Sequence, residues 1–288
     1  MAGVVAMTGA QGERPLRRGR VVLAAVSVLV VFAGTAGLPA APLSARSSAA
    51  VSQDVALAAG DIAFVMGGSG IPLPSQGYVN AANLLYLQPH GFTGTAESLF
   101  TPELYYPGNV SEAVGAQLLA DAIEKQIAGG GVNADNPVYV FGYSQSSAMS
   151  SMTMEQLHYA GVGTQDVHFV LVGNAANPNG GLVEMLNIWG GNLSFWNGLT
   201  LGHPTPDYFT TDLYTMEYDG FADFPRYPLN LLADLNAVAG MFLQHDGYFG
   251  LSPDAIANAI HLETSGDSPT NYYMIPTETL PLLDLLRV

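Results

Sequence analysis

The sequence predicts an α/β fold with a mostly parallel central sheet flanked by helices, and three observations point there. Short apolar runs alternate with helical stretches along the chain. One of them, Val138-Tyr-Val-Phe-Gly-Tyr-Ser-Gln-Ser-Ser147, reads as a buried strand ending in a tight turn that feeds a helix. Apolar residues make up 49% of the 288 positions and charged residues 11%, enough for one large core.

The first 20 positions hold four of the eight basic residues, Arg14, Arg17, Arg18 and Arg20. Residues 21–38 follow without a charge, and 39–45 are Pro, Ala, Leu and Ser. This is the layout of an export signal, with small residues ending at Ala41 or Ala45 as cleavage sites. The apolar stretch also approaches the ~18 to 20 residues that span a bilayer, so an uncleaved signal anchor is the alternative. In both cases the rest of the chain is exported, to the outer face of the cytoplasmic membrane or the cell envelope, or is secreted. Residues 1–45 are assigned to the signal or anchor, 46–59 (rich in Ser and Ala) to a linker, and 60–288 to the folded domain.

Within that domain, Asp61-Ile-Ala-Phe-Val-Met-Gly-Gly-Ser-Gly70 reads as a strand entering a Gly-rich turn. Residues 109–128 are helical, with Ser111 as N-cap and Gly129 to Gly131 as the stop. The strand 138–143 and the helix 148–159 flank the Ser-rich turn, and 168–173 is a further apolar strand. Residues 174–206 hold Asn, Gly, Pro, Trp189 and Trp196 with little periodicity, and read as an excursion over the sheet. A strand at 213–218, helices at 229–242 and 253–262 and a last strand at 272–275 complete the pattern. No repeat of 20 to 50 residues is present.

Strand, Gly-x-Ser-x-small, helix is the nucleophile elbow of the α/β-hydrolase fold, with Ser144 at its apex. Bulky residues two positions either side of such a serine would collide with the neighbouring strand and helix. In that fold an acid and then a histidine follow the serine in chain order. Asp219 stands at the end of the 213–218 strand and Asp223 four residues on; Asp219 is preferred, because the acid normally leaves the strand end directly. His245 lies in a loop after the next helix and is the preferred base. His90, His158, His168 and His203 precede the acids, and His261 falls within the 253–262 helix. The oxyanion donors are assigned to the N–H of Gln145, next to the nucleophile, and to the Gly-rich turn at Gly68 and Ser69. That turn lacks the lysine and the spacing of a phosphate-binding P-loop.

A net charge of −16 argues against nucleic acid or an anionic membrane face as partner. With no cysteine there is no disulfide and no thiolate metal site. The histidines are scattered without ligand spacing, so no metal or other cofactor is expected.

Met66-Gly-Gly-Ser-Gly-Ile-Pro-Leu-Pro74, Gly142-Tyr-Ser-Gln-Ser-Ser147, Tyr218-Asp-Gly-Phe-Ala-Asp-Phe-Pro225, Asn236 to Gly240, His245 to Tyr248 and Asn271-Tyr-Tyr-Met-Ile-Pro276 together resemble the PE-PPE domain of mycobacteria and related actinobacteria. The resemblance runs from about Ala59 to the C-terminus. It implies an α/β-hydrolase fold related to cutinases and a Ser-Asp-His triad. Ser144 and His245 map onto that triad, and an aspartate of the Tyr218-Asp-Gly motif completes it. The His245-x-x-Tyr248 spacing also resembles the cutinase histidine. Two departures stand out: Gly-Gly-Ser-Gly replaces the family's Gly-Gly-Thr-Gly, and an export segment stands where a PE or PPE helical module would. The latter resembles membrane-associated members that transfer acyl groups to trehalose glycolipids.

These readings converge on a cell-envelope serine esterase or acyltransferase acting on acyl esters or glycolipids, with residues 186–209 as either an acyl groove or ordinary core. The alternative is a lipid- or partner-binding module that keeps the fold without the chemistry.

Overall fold

The computed structural model describes residues 62–186, 193–194, 200–201, 204–227, 229–264 and 266–285. They form a sheet in the order β2-β1-β3-β4-β7-β9-β8. Its strands are β1 (Ile62–Val65), β2 (Thr95–Ser98), β3 (Val138–Tyr143), β4 (Val167–Val172), β7 (Thr210–Met216), β8 (Ile260–Leu262) and β9 (Thr270–Ile275). All pairings are parallel except β8 with β9. A hairpin of β5 (Leu193–Ser194) and β6 (Thr200–Leu201) lies within the expected excursion. Trp189 and Trp196 fall outside the described residues, as do residues 1–59, where the signal or anchor and the linker were expected.

The central parallel strands β1, β3 and β4 are covered on both faces, so their sequences are largely apolar rather than alternating. One layer packs Ile62, Phe64, Val138 and Val140 under helices α2 (Gly108–Ala128) and α3 (Gln145–Tyr159), through Leu119, Ile123, Met154 and Leu157. The opposite faces of the same strands, Ala63, Val65, Phe141 and Tyr143, meet α1 (Gln76–Ala82), the π-helical turn Asn83–Leu87 and Tyr248. At Gly115 an added Cβ would overlap Met149 Sδ, so α2 and α3 pack closely there. The remaining helices are α4 (Leu182–Leu186), α5 (Leu231–Leu243), α6 (Pro253–Ala257) and α7 (Pro281–Leu285).

Several expectations are corrected. Ser111 is not an N-cap: α2 begins at Gly108 after Pro107, and Ser111 Oγ, inside the helix, accepts from the Leu104 N–H at 2.9 Å. The 253–262 segment splits into α6 and β8, and His261 stands on the strand, because the chain leaves α6 to add an antiparallel edge to β9. The 213–218 strand spans Thr210–Met216, two residues short of the expected end. Of residues 186–209, read as either groove or core, Tyr208 and Phe209 are core: Phe209 is fully buried against Phe169, and Tyr208 stacks on His158 at 4.0 Å. Among the described residues no helix is long and apolar enough to cross a membrane.

Candidate active site

β3 ends at Tyr143 and α3 starts at Gln145, so Ser144 alone makes the turn. Its φ of 56° and ψ of −115° lie where an L-residue with a side chain is strained. Neighbours hold it there. The Ser144 N–H donates to the Val172 carbonyl at 3.1 Å, and the Ser146 hydroxyl both accepts from Tyr143 N–H (2.9 Å) and donates to Tyr143 O (3.1 Å). A Cβ on Gly142 would stand 3.0 Å from both Leu171 Cδ2 and Ser147 Cα, the crowding that calls for glycine before the serine. Ser144 is half-buried, with its hydroxyl at the head of α3.

His245 opens a 3₁₀ turn, His245–Gly250, directly after α5. Its Nε2 lies 2.8 Å from Ser144 Oγ, and its Nδ1 lies 3.0 and 2.9 Å from the two carboxylate oxygens of Asp219. Asp219 is fully buried; its Oδ1 accepts from the Phe221 N–H at 3.0 Å and its Oδ2 from the Tyr248 hydroxyl at 2.8 Å. That hydroxyl accepts in turn from the Met216 N–H at 2.9 Å. Burial, reinforced by the Asp219 charge, raises the Tyr248 phenol well above its ordinary range, so it stays a neutral donor. Asp223, the competitor, has a different partner: its Oδ2 accepts from the Tyr218 N–H at 2.9 Å. The imidazole of His245 lies between Tyr143, stacked at 5.5 Å, and Phe221 at 4.6 Å. The Tyr143 hydroxyl donates to the His245 carbonyl at 2.9 Å.

The Gly-rich turn closes the other side. A Cβ on Gly68 would come within 3.2 Å of Ser144 Cβ, so glycine lets this backbone run beside Ser144. The Ser69 hydroxyl donates to Gln145 Oε1 at 3.4 Å, and Gln145 Nε2 donates to the Leu104 carbonyl at 3.0 Å. Gly68, Ser69 and Gln145 therefore stand together around Ser144. At the first position of α3 the Gln145 N–H belongs to the set of helix-start amides with no intrahelical acceptor.

The fold brings together Ser144, His245, Asp219, Gln145, Gly68 and Ser69. Residue-level reading gave no role to the hydroxyls of Tyr143 and Tyr248. The His245-x-x-Tyr248 spacing was the available signal for the second; the first looks like any strand residue. A sheet whose strand end presents a serine on a strained turn, hydrogen-bonded to a histidine and a buried aspartate, defines the α/β-hydrolase class.

The comparisons narrow the class. The PE-PPE domain family model matches residues 93–288, and the chain belongs to that family. The uncharacterized PPE family protein PPE28 of Mycobacterium tuberculosis is 44% identical over 245 residues, 81% of this chain and 36% of that protein. Esterase PE16 of the same organism is 38% identical over 79% of this chain and 44% of that protein. Diacyltrehalose acyltransferase Chp2, also from M. tuberculosis, is 33% identical over 90 residues, 31% of this chain and 25% of its own length. The chain thus spans less than half the length of these relatives.

Proposed function

We propose that this chain is a serine esterase acting on acyl esters through a covalent acyl-enzyme, with Ser144 as nucleophile, His245 as general base and Asp219 as the acid that orients it. The observation that carries the reading is the unbroken Ser144–His245–Asp219 hydrogen-bond chain on an elbow serine. With the Nδ1 proton directed at Asp219, the Nε2 lone pair of His245 accepts the Ser144 proton as Oγ attacks the ester carbonyl. The N–H groups of Gln145 and of the Gly68-Ser69 turn stabilise the oxyanion. His245 then returns the proton to the departing alkoxide, leaving the acyl group on Ser144 and releasing the alcohol.

Apolar side chains around the site favour an acyl substrate. Leu104, Tyr105 and Tyr106, beside Gln145 and Gly70, are exposed. So is Phe242, in the last turn of α5 before His245. A second reading, acyl transfer to a sugar hydroxyl, draws on the similarity to a diacyltrehalose acyltransferase. Water or a sugar resolves the same acyl-enzyme, and exclusion of water decides between them. Export to the cell envelope by residues 1–45 is part of the same proposal.

The test is covalent labelling by a fluorophosphonate together with hydrolysis of a p-nitrophenyl acyl ester. Wild type is expected to label and turn over, and Ser144→Ala to lose labelling and about 10⁴ to 10⁶ in kcat while keeping its circular dichroism. A folded wild type that neither labels nor turns over the ester would sink the proposal and leave a binding module; turnover unchanged in Ser144→Ala would remove Ser144 as nucleophile. Added trehalose separates the readings: acylated sugar in place of free acid identifies a transferase.

A further inference from the structure

Two of the histidines that look scattered along the sequence, His90 and His168, meet in space at one aspartate. Tyr139, His168, Asp212 and Asn271 lie near the N-terminal ends of β3, β4, β7 and β9, at the opposite end of the sheet from Ser144. Register pairs Tyr139 with His168, His168 with Thr210 and Asp212 with Asn271, which puts these side chains on one face. The 3₁₀ turn Gln88–His90 lays His90 over them. His168 Nε2 lies 2.6 Å from Asp212 Oδ2, and His90 Nδ1 lies 2.9 Å from the same oxygen.

We propose that His90, His168 and Asp212 form a binding site for a divalent transition-metal ion of the Zn²⁺ class, with water completing a tetrahedral shell. The donor atoms lie within 4.8 Å of one another, close enough for small side-chain rotations to place all three about 2.0 to 2.2 Å from one ion. Two imidazoles and one carboxylate suit Zn²⁺ and its late first-row neighbours rather than Ca²⁺ or Mg²⁺, which take oxygen ligands. The outer contacts that orient ligands are also in place. Asn271 Nδ2 donates to the other Asp212 oxygen at 2.9 Å, His90 Nε2 lies 2.9 Å from the Tyr214 hydroxyl, and the His168 ring stacks on Tyr139 at 4.7 Å. Both histidine side chains are 13% exposed, which gives the ion a route in from water, while the carboxylate is 3% exposed. Each imidazole would bind through the nitrogen that faces Asp212 and carry its proton on the other ring nitrogen, from which His90 can donate to the Tyr214 hydroxyl. The ion would staple the 88–90 turn to the middle of the sheet, at the N-terminal ends of β4 and β7.

The test uses the full chain without a polyhistidine tag, stripped of metal, in a Zn²⁺ competition titration against a chromophoric chelator, with thermal unfolding alongside. One equivalent is expected to bind and to raise Tm. His90→Ala and His168→Gln should abolish that equivalent while retaining the wild-type circular dichroism. Asn271→Ala should weaken binding by about 10- to 100-fold. Absence of a saturable equivalent in wild type overturns the site, as does a His90→Ala variant that binds Zn²⁺ as tightly as wild type, which would mark an adventitious ion on the acidic surface.

Discussion

Asp219 and Asp223 share the turn after β7 but face different partners, and this separates their effects. Asp219 meets both His245 Nδ1 and the Tyr248 hydroxyl, whereas Asp223 Oδ2 accepts from the Tyr218 N–H and lies outside the chain of bonds to Ser144. Asp219→Asn would offer an amide donor or a neutral acceptor where His245 needs a carboxylate, leaving the wrong tautomer toward Ser144. Ester hydrolysis is expected to fall about 10⁴-fold in kcat, with KM little changed. Asp223→Asn keeps an acceptor for Tyr218 and should stay within a few-fold of wild type. A reversal of these two results would reassign the acid. From sequence the pair was separable only by nearness to the strand end. The deciding facts, which carboxylate is fully buried and which hydroxyl reaches it, depend on how α5 returns the chain to the sheet.

At the scale of elements, α5 is held against the acid turn by two glycines. A Cβ on Gly240 would overlap the Tyr218 carbonyl, and one on Gly220 the Ala237 carbonyl. Both obstacles are backbone, which cannot rotate away as a side chain can. Gly240→Ala should therefore push α5 off the turn and cost about 3 kcal/mol or more, read as a lower midpoint in urea. Because α5 leads directly into His245, activity should fall at denaturant levels where wild type is unaffected. An unchanged midpoint would show that the helix has room to shift. This close packing leaves a trace in the sequence, Asn236 to Gly240 and Tyr218-Asp-Gly220, but only as motifs of a family and not as a contact. The central strands and the long helices were legible because double-sided burial and clean stops leave strong patterns. β2 (Thr-Ala-Glu-Ser) was not, since this polar edge strand has no apolar run to betray it. β8 was not either, because three partly exposed residues at the other edge follow a helical start. Ser144 and His245 could be picked out as candidates because the hydrolase chain order constrains them, and the fold sets them 2.8 Å apart. The His90–His168–Asp212 cluster was not, since register and crossover, not spacing, bring it together.

Across the whole molecule, 24 acids face 8 bases, and among the described residues four acids are buried: Asp219, Asp212, Glu103 and Glu112. Glu103, at a strained φ of 46°, uses its carbonyl to accept from the Gly70 N–H at 2.7 Å, and so anchors the Gly-rich turn next to Ser144. Its Oε1 accepts from Thr101 at 2.7 Å, while Oε2 is buried with no hydrogen-bond partner among the described residues. Burial pushes the Glu103 carboxyl up to about 7 against the opposing Thr101 hydrogen bond. Burial, then the Glu103 charge, pushes Glu112 up to about 8. A carboxyl raised by folding remains protonated in the native state while the unfolded chain, at its ordinary 4.5, gives the proton up. The associated stability is thus complete below about pH 4.5 and is lost as pH rises toward 7 and 8. For Glu103 the displacement corresponds to about 3 kcal/mol, or roughly 5 to 10 °C in Tm for a domain of this size. Self-repulsion of the acidic surface pulls in the same direction, so variants must separate the two. Glu103→Gln removes the buried ionisation and should flatten the decline of Tm between pH 5 and 8. Glu124→Gln removes the same charge from an exposed position on α2 and should leave the slope as it is. Equal slopes in all three proteins would assign the pH dependence to the surface field alone. A flattened slope in Glu103→Gln would tie it to the buried pair, and with it the pH range over which the Gly-rich turn stays seated against Ser144.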